Sequence, residues 1–141
     1  MSRGSEGRQI VPVVAVQFDR ADRRYEPGAE CHVRYRIEGL GEERIRAIEH
    51  SLLWYTEGKG EEDLGVHFFQ RIDEHDLPAT GAAEFAVRLP ASPLSYEGVI
   101  VKVRWCARVR IFFLAGRDFV SEHVFEVGRL PPARLPEARV S

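Results

Sequence analysis

Between Val99 and Ile111 the chain alternates without a break. Val99, Val101, Val103, Trp105, Ala107, Val109 and Ile111 share one parity, while Ile100, Lys102, Arg104, Cys106, Arg108 and Arg110 share the other. Successive side chains of a strand point to opposite faces, so this pattern describes one long strand with a buried and a wet side. A helix would scatter the same apolar residues around its circumference. Trp105 is thereby expected inside and the arginines outside.

The rest of the chain follows the same period. Strands are expected over Gln9–Phe18, Cys31–Ile37, Arg44–Thr56, Leu64–Ile72, Phe85–Leu89 and Phe119–Val127. Turn residues separate them: Pro27-Gly28, Gly39-Leu40-Gly41, Gly58-Lys59-Gly60, Pro78 to Gly81, Pro90 to Gly98 and Ala115-Gly116. Pro12 places the first strand at a sheet edge, where a missing N–H does little harm. About seven antiparallel strands at this spacing predict an all-β, immunoglobulin-like sandwich. The expected core is Val33, Tyr35, Leu52, Trp54, Phe68, Phe85, Val87, Val101, Val103, Trp105 and Phe125.

A chain of 141 residues fits one domain that needs no disulfide or metal staple. The reading divides it into a flexible N-terminus (1–8), the sandwich (9–128) and a proline-rich extended tail (129–141) with Pro131, Pro132 and Pro136. A net charge of −2 argues against general nucleic-acid binding. From Glu38 to Asp76 there are eleven acids against four bases, whereas Arg88 to Ser141 carries nine bases against five acids. Neither a membrane-spanning apolar run nor a signal-peptide pattern is present, so a cytoplasmic protein is expected.

Chemical motifs are sparse. Cys31 is expected in the core and Cys106 on the surface beside Arg104 and Arg108, where the arginines could lower its thiol pKa. Their opposite facing argues against a disulfide joining them. The five histidines lack metal-ligand spacing, and Asp73-Glu74-His75-Asp76 reads as a solvated acidic turn. Gly58-Lys59-Gly60 lacks the features of a phosphate loop. The chain is therefore read as a non-enzyme without a cofactor.

The segment Phe85-Ala86-Val87-Arg88-Leu89-Pro90, then Pro93-Leu94-Ser95-Tyr96-Glu97-Gly98, then the long strand with Trp105 in mid-course, resembles the arrestin-like superfamily. That group includes arrestins, the retromer subunit Vps26 and bacterial sporulation-control proteins. The resemblance implies an arrestin-type sandwich acting as a protein-binding adaptor or scaffold. Arrestins carry two such lobes in tandem and this chain has length for one. A second copy in a homodimer, or another gene product, would supply the other.

Lys102, Arg104, Arg108 and Arg110 form the candidate partner-binding face. Alternate strand residues lie about 6.6 Å apart, so the four make a ladder suited to an acidic or phosphorylated segment. The alternative is a self-neutralised ladder, with Glu122 paired to Arg108 and Glu126 to Arg104. Edge-strand pairing offers another route to a protein partner. Two other functions stay open: a carbohydrate- or small-ligand-binding sandwich with Tyr55 or Tyr96 as stacking platform, and an enzyme whose site is assembled only in the fold.

Overall fold

The computed structural model describes residues 11–60 and 62–130. Ten strands follow one another: β1 (Val13–Phe18), β2 (Arg24–Tyr25), β3 (Glu30–Glu38), β4 (Ile45–Gly58), β5 (Leu64–Asp73), β6 (Ala82–Arg88), β7 (Ser95–Glu97), β8 (Val101–Phe113), β9 (Asp118–Val127) and β10 (Arg129–Leu130). The acidic segment Glu74–Asp76 is a single 3-10 turn. Seven of these strands match the expected runs. Only β2, β7 and β10, two or three residues each, escaped the period-2 reading, because so short a run carries no period.

The strands form two layers. The small sheet is antiparallel, in the order β1-β3-β6. The large sheet is built on β8, which pairs with β4 along its whole length. Its other flank is shared between β9, from Trp105 to Phe112, and β7, at Lys102 and Val103. Beyond β4 lies β5, which pairs with β4 alone among the described residues. β1 is an edge strand and Pro12 immediately precedes it, as expected.

Alternation decides what each face touches. Cys31, Val33, Tyr35 and Ile37 of β3 are buried, as are Trp105, Ala107, Val109, Ile111 and Phe113 of β8. These two rows meet between the layers in one apolar cluster, which Leu52, Phe85 and Phe125 complete. Each buried valine, leucine, isoleucine or phenylalanine of the cluster contributes roughly 1.5–3 kcal/mol. Trp54, Phe68 and Val87 pack against the cluster while partly exposed.

The expectation fails at one end of β8. Val101 is 37% exposed, Val99 89%, and Val103 is only half-buried. Val99 and Ile100 lie in a loop before the strand, closed by a bond from Gly98 N–H to the Val101 carbonyl at 3.0 Å. The cause is a mismatch of lengths. The small-sheet strands have six, nine and seven residues, too few to cover strands of thirteen and fourteen.

The tryptophan at the middle of β8 also fixes the preceding loop. Its Nε1–H donates to the Pro93 carbonyl at 2.8 Å, and the buried Ser95 Oγ accepts from Val127 N–H at 2.9 Å. The Pro-Leu-Ser-Tyr-Glu-Gly segment is therefore held from both sides. Gln9 and Ile10 of the expected first strand, the N-terminus over 1–8 and the proline-rich stretch 131–141 lie outside the described residues. Arg129 and Leu130 pair in parallel with β7.

Candidate interaction face

The four ladder cations stand on the outer side of β8, and each has a carboxylate partner. Lys102 Nζ lies 3.5 Å from Glu97. Arg104 reaches Glu57 at 3.0 Å and Glu97 at 3.1 Å. Arg108 makes two contacts with Glu122 Oε2, at 2.6 and 2.8 Å. Arg110 meets Asp118 at 2.6 Å. The Arg108–Glu122 pair is the one foreseen across the β8–β9 ladder.

Arg104 departs from the expected pairing with Glu126, and the short strands explain why. β7 occupies the flank of β8 beside Arg104 and brings Glu97 there. β2 lies along the end of β9 and sets Arg24 against Glu126, 3.3 Å away. Neither contact could be foreseen without β2 and β7.

Register places further residues on this face. One row across the sheet runs Val124, Cys106, Leu53 and Val66; the next runs Glu122, Arg108, Ser51 and Phe69. Leu53 and Cys106 are buried although they face outward. Arginine side chains cover apolar surface with their stems and keep their heads in water. Val120, Val124, Leu64, Val66 and Phe69 remain exposed at 41 to 55%. At the far end Arg46, Arg71 and Arg110 converge on the ring of Phe112, with guanidinium carbons 5.9, 5.2 and 4.9 Å from its centre.

Cys106 is thus not a surface thiol. Burial pushes its pKa up to about 12, Glu122 adds to the rise, and Arg108 opposes it less strongly. The expected surface position of Cys106 is corrected: the side chain has no solvent access, and burial outweighs any lowering of its pKa by Arg108. Cys31 is fully buried in the core as expected, its thiol pushed up to about 12 by the same cause. Both cysteines are free.

The other candidate sites are dispersed. Tyr55 and Tyr96 are half-buried and form no exposed platform, Tyr96 lying over Gly98. No group of three or more metal-ligating side chains converges among the described residues, those of the Asp73–Asp76 segment included. An open depression of about 500 Å³ lies on the outer side of the small sheet, lined by Ala15, Ala82, Arg34, Arg36, Glu38 and Glu84 among others. Between the layers Tyr35 and His50 bond to each other, and His50 bonds on to Gln70, linking the two sheets. No described helix is long and apolar enough to cross a membrane.

The sequence matches no protein-family model and no curated protein. Among solved structures the chain is similar to the sporulation control protein Spo0M of Bacillus subtilis, with 16% identity and a TM-score of 0.57. The match covers 83% of this chain and 49% of that one, so this chain spans about half the length of its structural relative. The likeness is one of fold, and it agrees with the resemblance carried by the Leu89-Pro90 to Trp105 segment. The described residues form one arrestin-like β-sandwich.

Proposed function

We propose that this domain is a non-enzymatic, cytoplasmic protein-binding adaptor or scaffold module whose partner docks on the outer face of the large sheet, around Lys102, Arg104, Arg108 and Arg110. The observation that carries the reading is the make-up of that face. It is a row of charge pairs flanked by the exposed Val120 and Val124, a mixture that suits a protein interface better than a small ligand.

The pairing of the ladder is compatible with binding. Exposed ion pairs are worth about 0–1 kcal/mol, so a partner's carboxylates can replace Glu57, Glu97, Glu122 or Asp118 at small cost. The guanidinium fork of an arginine favours the bidentate contacts that an acidic segment offers. The neutral ladder then acts as a selective surface, with specificity set by exchange of carboxylates.

The test is affinity capture from native lysate followed by quantitative mass spectrometry, comparing the wild type with Arg104→Ser/Arg108→Ser. Loss of a captured protein by about tenfold or more, with the melting temperature held within a few degrees, is the expected result. Unchanged capture by a folded double variant would end the reading.

A further inference from the structure

The free edge of β5 is the least guarded in the sandwich. It is ten residues long, and its outward side presents Leu64, Val66 and Phe69 at 54, 55 and 55% exposure. The other edges are shorter or occupied. β1 has six residues and Pro12 before it, β6 has seven, and β2 takes the last two residues of β9, leaving a shorter free stretch over 118–125. A long edge with an apolar side invites another strand unless lysine, proline or a strong twist forbids it. β5 contains neither lysine nor proline, and the extra residue at its bulge, His67, turns inward to the Arg88 carbonyl.

We infer that this edge pairs with the β5 edge of a second copy of the chain, giving a two-fold dimer with one continuous sheet. Symmetry and two observations favour a second copy over other occupants. A two-fold axis makes the pairing of identical edges antiparallel without further requirement. The outward side of β5 also has no unsatisfied charge to repel its twin, because Arg71 is bridged to Glu49 and Asp73 at 2.9 Å each. A pairing centred between His67 and Phe68 sets Val66 of each copy against Phe69 of the other, apolar on apolar.

The chain's own termini fit the edge poorly by sequence. Residues 131–141 include three prolines, which cannot donate to a ladder, and residues 1–10 are polar apart from Met1 and Ile10. The edge is separated from the arginine ladder by β4, so this inference and the adaptor reading fail separately.

The experiment is sedimentation velocity of the full chain over a range of micromolar concentrations, with hydrogen exchange measured at both ends of that range. A reversible dimer is expected, with β5 amides slowing as concentration rises while β1 amides do not change. Val66→Lys/Phe69→Lys should weaken dimerisation by about tenfold or more while keeping the far-ultraviolet circular dichroism of the wild type. Arg104→Ser/Arg108→Ser should dimerise like the wild type. A wild type that stays monomeric overturns the inference. So does a dimer that survives in the folded lysine variant, or β5 protection independent of concentration, the mark of cover by the chain's own termini.

Discussion

At the residue scale the most consequential side chain is His50, which is 1% exposed between the layers. Tyr35 Oη donates to its Nδ1 at 2.6 Å, and its Nε2–H donates to Gln70 Oε1 at 2.8 Å. Phe85 stacks on the ring at 4.3 Å. Burial holds the imidazole below its ordinary pKa, and the bond to Gln70 opposes that only in part. Below about pH 6.5 the unfolded chain therefore binds a proton here that the folded chain refuses, and stability falls with pH. His123, lowered by burial and by Arg23, acts with the same sign. The melting temperature should drop between about pH 7.5 and about pH 5.5, before carboxylates titrate. His50→Gln should cost about 1–3 kcal/mol at the higher pH yet flatten that drop. An unchanged slope in a folded His50→Gln variant would remove His50 as its source. The parity of Ile48, His50, Leu52 and Trp54 does place His50 inside. Nothing in the sequence shows that Gln70 meets it, because the β5 bulge settles which residues of β5 face inward.

At the scale of elements, long runs were legible and their ends were not. Period 2 locates β8 because thirteen residues leave no other reading, and it puts Trp105 and the arginines on the correct faces. It says nothing about how far the opposing sheet reaches, which is why Val99 and Val101 looked buried. It is also blind to close approaches between elements. Gly65 on β5 lies under the indole of Trp54, where a Cβ would meet Nε1 at 2.3 Å. Gly65→Ala must push that half-buried ring aside or pry β5 from β4, and should cost about 1–3 kcal/mol. Chemical denaturation checks the loss, and hydrogen exchange should locate it at the β4–β5 ladder. A variant as stable as the wild type would mean that Trp54 moves away freely. The second close approach, Gly58 with φ +140° against the Ile100 carbonyl, ties the β4–β5 turn to the loop before β8. That contact fixes the end of the sandwich where Val99 projects.

At the scale of the molecule, the two cysteines report on the whole sandwich from separate places. Cys31 lies between the layers on the small sheet, and Cys106 lies on the outer side of the large one, opposite Leu53. On that outer side Cys106 and Leu53 are buried while Val124 and Val66 of the same row stay exposed. The sequence could pair Arg108 with Glu122 by register. The burial of Cys106 depends instead on four strands brought side by side, so a residue expected at the surface is enclosed in three dimensions. Both thiols have 0% exposure and raised pKa values, and a thiolate is needed for attack on a disulfide reagent. The native protein should therefore react with an aromatic disulfide reagent only as fast as it opens, releasing two equivalents of chromophore on denaturation. Raising the reagent concentration should bring the rate to a plateau set by opening. Cys106→Ala separates the thiols: if opening is global, Cys31 then reacts at the rate seen for the pair. A rapid stoichiometric burst from the native wild type that disappears in Cys106→Ala would show an outer face open to solvent at its centre, and the burial of Cys106 would be overturned.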